Sequence, residues 1–417
     1  MQAILKLILE LVISLTILSI IVLFLAASIR RWLHARRYRQ LDELRDNFRR
    51  EIPELIRSTE MEQLKAQFQY EPKSLEWIAL EEVLLELMSE EGCRDKGREF
   101  FNALGYGAYY EDKLRRSNII IKASAIDKLG KMQCVAAVPK LVTALDSNAI
   151  EIISVTIRSL SKIGALEGLR GILERLPDLF QKSMVTRKTV ETYLPSFGPG
   201  AVPMLIESVQ AASDPAIKAS LLEVLTQIRG VSALPLARAC LQGEDPEVRA
   251  RALKLIGTIA PEQEEFDWDC VVASARDPVW FVRLRAAKAL GNKKYEKAIP
   301  ALAELLLDEK WFVRNAAATA LTRMENAPLG EFLRVLRSSD TYARGSVCEE
   351  MQKTNYVDRL IENLASPDNV VYEQSGEIID VMCSLKFCTP FTRYIEQGDN
   401  EEIKGKIRNF LKREVEV

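Results

Sequence analysis

The sequence predicts an all-α protein, a solenoid of two-helix repeats preceded by one transmembrane helix. Two nearly repeated lines, an uncharged N-terminal stretch and the composition support this. The lines are Asp277-Pro-Val-Trp-Phe-Val-Arg283 and Asp308-Glu-Lys-Trp-Phe-Val-Arg314, each running into an alanine-rich stretch that ends at Leu290 or Leu321. They lie roughly 30 residues apart, the period of repeats that bury their apolar faces only by stacking on neighbours. Apolar residues make up 48% of the 417 and charged residues 28%, which excludes a largely disordered chain. Aromatics at 7%, with frequent Ala and Leu, suit close-packed helices better than sheets.

From Leu11 to Ile29 the chain reads LVISLTILSIIVLFLAASI, without a charge. As a helix this stretch spans roughly 28 Å, close to the hydrocarbon core of a bilayer at about 30 Å. Arg30-Arg31-Trp32-Leu33-His34-Ala35-Arg36-Arg37-Tyr38-Arg39 follows at once, rich in arginine and free of acid. The short N-terminal side has only Lys6 and the amino terminus, opposed by Glu10. The charge bias predicts an inner (cytoplasmic) membrane protein, N-terminus outside and everything after Arg30 in the cytoplasm. Arg30, Arg31, Trp32, Arg36, Arg37, Tyr38 and Arg39 are the expected membrane-interface residues, and residues 7–29 the expected contact with lipid. Leu25-Ala26-Ala27-Ser28 offers a cleavage site, but the weakly basic start and the arginines behind it favour an uncleaved anchor.

Residues 1–29 are therefore read as the anchor, 30–72 as a charged helical linker and 73–417 as the solenoid. In the linker Leu41, Leu44, Phe48, Ile52, Leu55 and Ile56 fall at helical spacing. This stripe packs either on the first repeat or on a partner. Pro53 is expected to kink or restart the helix and Pro72 to end it.

Each repeat reads as an Asp-containing turn, Val-Arg or a relative, an alanine-rich helix, a Gly turn and a Pro-led second helix. Asp245-Pro-Glu-Val-Arg249 runs to Gly257, and Asp214-Pro-Ala-Ile-Lys218 leads a unit with Lys in the Arg place. Gly130 to Pro139 spans the same interval as Gly291 to Pro300. Asp caps a helix start, Pro suits the first turn, Ala permits close helix approach and Gly is expected to make the C-terminal turn. Units are degenerate around Asp146 to Gly164 and Val185 to Gly198. Beyond Leu321 the pattern fades, although Asp340, Asp368 and Asp399 keep the spacing. About nine or ten units are expected.

These motifs resemble the HEAT-repeat family, in particular the bacterial type related to phycobilisome-lyase HEAT-like repeats. The resemblance covers about residues 115–410 and is strongest from Asp214 to Leu321. It implies an Asp–Arg ladder between units, with Asp245, Asp277, Asp308, Arg249, Arg283 and Arg314 as candidates. The resemblance is specific for the fold; the expectation of a protein-docking scaffold rather than an enzyme comes from the extended surface of the repeat array. The alternative is a bilin-lyase-like enzyme or cofactor chaperone.

Candidate chemistry is sparse. His34 is the one histidine, which excludes a histidine-based triad in the body. Seven cysteines, Cys93 among them, fall at scattered spacings that fit a reducing compartment, and Cys383 and Cys388 read as apolar fillers. No phosphate-loop motif is present. Net charge is −2, giving no drive toward nucleic acid. No catalytic residue, cofactor or metal is therefore expected. The run Glu262 to Glu265 reads as a solvated loop, and Tyr106, Tyr109 and Tyr110 as part of a capping unit. The best partner-binding candidates are Trp280, Phe281, Arg283, Trp311, Phe312 and Arg314, since Trp and Arg dominate binding hot spots. In the rival arrangement one aromatic of each pair fills the core and Arg serves only the ladder. The expected function is a membrane-anchored adaptor that docks a protein partner, such as another membrane enzyme of envelope or polysaccharide assembly, on its cytoplasmic repeat surface.

Overall fold

The computed structural model describes residues 2–58, 61–88, 94–261, 266–325, 329–354 and 356–412. These residues are helical and contain no strand. Cys93 and the run Glu262 to Glu265 lie outside them. The chain divides into two compact units, Met1–Ile172 and Leu173–Val417.

The first unit begins with one helix, Gln2–Ser58, whose 57 residues span about 85 Å at roughly 1.5 Å each. Among the described residues it is the one helix long and apolar enough to cross a membrane. Leu15 to Ile29 are exposed along it, Phe24 by 71%. The helix continues through Pro53, contrary to the expected restart. Proline removes one backbone bond and crowds the preceding turn, but Phe48, Ile52 and Ile56 around it are buried against neighbours. The stripe packs within its own unit on the helix Leu75–Leu87. Arg45 Nε donates to Glu82 at 2.6 Å and Arg49 Nε to Glu86 at 2.9 Å along the same contact.

Ser74 caps the Leu75 helix by accepting from the Trp77 amide at 3.1 Å. Trp77 stacks on Tyr106 at 4.3 Å, and the Tyr106 hydroxyl donates to the Trp77 carbonyl at 2.7 Å. Tyr110 is buried too, whereas Tyr109 stays half-buried and edge-on to Trp77. Beyond this aromatic core the helices Ile119–Lys131 and Ile150–Ile163 lie side by side. Asn118 caps the first of these.

The second unit stacks the helices Pro215–Ile228, Pro246–Ile259, Trp280–Asn292, Trp311–Thr322 and Thr341–Lys353, each packed on the next. Shorter helices alternate with them. Leu234–Cys240 and Ile299–Leu305 carry Pro near their starts and follow a 3₁₀ turn, as does Val138–Ala144 in the first unit. Asp214, Asp245, Asp340 and Asp368 cap their helices through side-chain oxygens. The expected role of Asp399 belongs to Asn400, whose Oδ1 accepts from the amides of Glu402 and Ile403.

The repeat glycines do a different job from the one their spacing suggests. Gly257 and Gly291 sit inside their helices, facing the next helix. A Cβ on Gly291 would stand 2.6 Å from the Ala320 Cβ, and one on Gly257 would stand 2.8 Å from that of Ala289. They permit close helix approach. The left-handed turn residues are instead Lys294, at φ 48°, and its counterpart Gln133, at φ 52°. Of the repeat glycines named above, Gly164 makes the expected left-handed helix end.

Candidate partner-binding surface

The surface begins at the first turns of the Trp280 and Trp311 helices. Each helix opens with Trp-Phe, so neither aromatic can turn fully inward while the following Val packs the core; Val282 and Val313 are buried. Trp280 and Phe281 are half-buried, whereas Trp311 is 52% and Phe312 47% exposed. Phe312 stacks on Trp280 at 5.7 Å and on Trp311 at 3.9 Å, and Phe281 meets Trp280 edge-on at 5.8 Å. Four rings thus form one continuous ridge across two repeats. No ring of either pair fills the core.

Under the ridge lies the arginine series. Arg249 donates from Nε and Nη2 to the two oxygens of Asp277, at 2.7 and 3.0 Å. Arg283 grips Asp308 in the same fork, at 2.6 and 3.0 Å. Each guanidinium also donates from Nη1 to carbonyls of its own turn, Gly243 and Glu244 or Asp277 and Pro278. Hydrogen bonding to the facing carboxylate raises the pKa of both arginines above the usual value. Such bidentate, charge-assisted pairs fix the relative position of two helices as well as stabilising them.

The ladder stops there. Arg314 is 8% exposed and keeps the Nη1 bond to the Asp308 carbonyl at 2.8 Å. Its Nε is buried with no partner, and among the described residues no carboxylate pairs with it. Asp340 belongs at this rung by spacing, yet its Oδ1 is bonded to the amides of Tyr342 and Ala343. Asp245 likewise caps its helix at Val248 and takes no arginine from the unit before, where Lys218 stands. Of the ladder candidates, Arg249–Asp277 and Arg283–Asp308 are joined; Asp245 and Arg314 are not.

Beside Arg314 the surface opens into a pocket of about 610 Å³ lined by Trp311, Tyr342, Gly345, Ser346, Glu349 and Phe387. Tyr342 is 80% exposed. It was missed by the sequence reading, although it is the second residue of its helix, as Phe281 and Phe312 are of theirs. Gly345, Ser346 and Phe387 carried no comparable signal.

The membrane-interface candidates Arg30, Arg31, Trp32, Arg36, Arg37, Tyr38 and Arg39 are all exposed on the long first helix, with the Arg36 guanidinium 5.6 Å from the Trp32 ring. Cys134, Cys348 and Cys383 are buried. Among the described residues no three His, Cys, Asp or Glu side chains are grouped to hold a metal.

Residues 269–352 match the family model of HEAT repeats. That stretch contains the whole aromatic ridge. A curated relative, the uncharacterized phycocyanin operon protein Y of Pseudanabaena tenuis, is 23% identical over 162 residues, 38% of this chain and 38% of the relative. The match thus spans well under half of that protein. Among solved structures, Kap121p bound to Nup53p aligns at a TM-score of 0.46 and 11% identity, over 84% of this chain and 45% of that one. An engineered protein aligns at 0.37 and 15%, over 86% and 99%. Human deoxyhypusine hydroxylase in complex with glycerol aligns at 0.26 and 17%, over 60% and 96%. The described residues are all-helical, and residues 269–352 are similar to HEAT repeats.

Proposed function

We propose that this protein is a membrane-anchored adaptor whose repeat surface docks a protein partner, with the N-terminus outside the inner membrane and the repeats in the cytoplasm. One observation carries the docking role: Trp311 and Phe312 remain about half exposed in a four-ring stack spanning two repeats. Exposed aromatics joined into a ridge are unusual on a surface that faces water alone and characteristic of binding hot spots. The anchor is supported by the exposed apolar helix followed by Arg30 to Arg39. Holding the repeats at a membrane raises their effective concentration toward any partner confined there, such as a membrane enzyme of envelope or polysaccharide assembly.

A photo-crosslinking amino acid at Phe312, compared with one at the exposed Lys182, tests the docking role in intact membranes. A discrete adduct from position 312 alone is expected, and its loss on Trp311→Ala. Equal labelling from both positions, or none from 312, refutes the role. A Lys182→Cys variant should react with an impermeant maleimide only after the membrane is opened; labelling of intact cells would reverse the topology.

A second reading, a lyase-like enzyme or chaperone for an open-chain tetrapyrrole, draws on the relative from a phycocyanin operon. It requires that added bilin acquire a new absorption band on mixing with the purified protein. An unchanged bilin spectrum would remove it.

A further inference from the structure

The open rung at Arg314 assigns a chemistry to the occupant of the docking surface, and the assignment rests on the docking role just proposed. Arg249, Arg283 and Arg314 are each the fourth residue of their helix. In the first two, Nε and Nη2 form the fork that grips a carboxylate. In Arg314 the Nε is buried without a partner and no carboxylate among the described residues meets the fork, while Nη1 holds the guanidinium in place as in the others. A nine-tenths buried guanidinium with an unsatisfied N–H is costly unless something completes it.

The local acids do not. Glu309 is 72% exposed and lies between Lys310 at 3.8 Å and Arg283 at 3.9 Å. Glu349 pairs with Lys353 at 2.7 Å. Asp340 is occupied by its helix cap. Trp311, Tyr342 and Phe387 wall the pocket at Arg314, and Lys310 lines it together with Glu309 and Glu349, the two acids already paired with lysines. Arg314 is the one arginine of that lining, its fork held in place by its own turn beside the three rings.

We propose that this pocket receives an aspartate or glutamate side chain from the partner protein. The incoming carboxylate completes the rung at Arg314, and an adjoining apolar side chain of the same segment lies on Trp311. The partner's segment thus takes the place that the next repeat's aspartate fills at Asp277 and Asp308. Charge complementarity at Arg314 selects an acidic segment, and the aromatic walls favour an apolar neighbour over a purely acidic run.

The test uses the full-length protein in lipid nanodiscs as bait for a displayed library of random linear peptides. Enriched peptides are synthesised and their binding measured by fluorescence anisotropy on wild type, Trp311→Ala, Arg314→Met and Arg314→Lys, each checked for native helicity. Peptides that need Trp311 should contain an Asp or Glu whose change to Asn or Gln weakens binding to wild type about tenfold or more, as for loss of a charged hydrogen bond. The same change should matter less than about twofold on Arg314→Met, with Arg314→Lys between, since Lys keeps the charge and loses the fork. Trp311-dependent peptides whose acid is dispensable, or equally important without Arg314, overturn the carboxylate assignment and leave the docking surface standing. If no enriched peptide responds to Trp311→Ala, the docking surface itself fails.

Discussion

Between the Trp280 and Trp311 helices, Arg283 reaches across to Asp308 and closes the seam; between the Trp311 and Thr341 helices, Arg314 finds no carboxylate. Both seams contain the residues a ladder needs. The difference lies in where each aspartate stands relative to the helix behind it. Asp277 and Asp308 precede their helices by an extended stretch, Pro278–Val279 or Glu309–Lys310, and each caps one amide while facing the previous unit. Asp340 stands directly at its helix start and binds two amides there. Asp277 and Asp308 combine one cap bond with the arginine fork, whereas Asp340 is held at its helix start by two amides and is not paired with Arg314. Asp245 also stands directly at its helix start, where it caps Val248, and the unit before it offers Lys218 in the arginine place.

The most direct way to break this comparison is to remove each arginine. Arg283→Met leaves Asp308, whose side chain is 6% exposed, without its counter-charge. The expected loss is about 2–3 kcal/mol, the range for charged hydrogen bonds at partly buried sites. Arg314→Met strands no carboxylate and is expected to change stability by less than about 1 kcal/mol in either direction. Hydrogen exchange of the Trp280 and Trp311 helices reads both, because repeat arrays open locally rather than as one unit. Equal losses at the two sites would mean that Arg314 already has an equivalent partner.

This contrast also marks what was legible in the chain. The repeat period, the capping aspartates and the proline-led short helices follow from local chemistry, and the structure has them. Packing across seams is not local. The glycines at 257 and 291 look like helix ends because they follow an apolar run, yet their purpose depends on Ala289 and Ala320, a repeat away. The open rung had a sequence trace that went unread. Asp277 to Arg283 and Asp308 to Arg314 are longer intervals than Asp245 to Arg249 and Asp340 to Arg344. Only the longer interval frees the aspartate for its neighbour. By that rule Arg344 should also lack a rung, since Asp368 caps its own helix directly, and the Arg344 Nε is indeed buried without a partner.

The seams should also differ in how they tolerate a methyl group. Gly291→Ala drives its Cβ to within 2.8 Å of the Ala320 Cα, so backbone must shift, at an expected cost of about 1–3 kcal/mol. Gly345 lies within the Thr341 helix on the open side, where a Cβ meets nothing within 4 Å. Gly345→Ala should therefore stabilise, by about 0.5–1 kcal/mol, through helix propensity alone. Urea unfolding of the two variants beside wild type measures the signs. A loss at Gly345 would mean that the seam is closed by something that touches it.

The smallest effect concerns protons at the other end of the series. Between the Pro215 and Pro246 helices, Glu223 sits 6% exposed and takes hydrogen bonds from Lys254 and Arg251. Burial pushes its pKa up, but the two cations more than reverse that and leave it below the ordinary glutamate value. A depressed carboxylate pKa makes the unfolded chain bind the proton more readily than the native one. Its contribution is therefore complete above about pH 4.5, near the ordinary value, and is lost as pH falls through the depressed one. Arg283→Met leaves this group untouched, so the acid-induced loss of protection in the Pro215 helix should be superimposable in wild type and in that variant. Glu223→Gln should flatten it. If the profile survives Glu223→Gln, the acid sensitivity of this seam comes from another carboxylate, and the closed seams cannot be treated as independent of their neighbours.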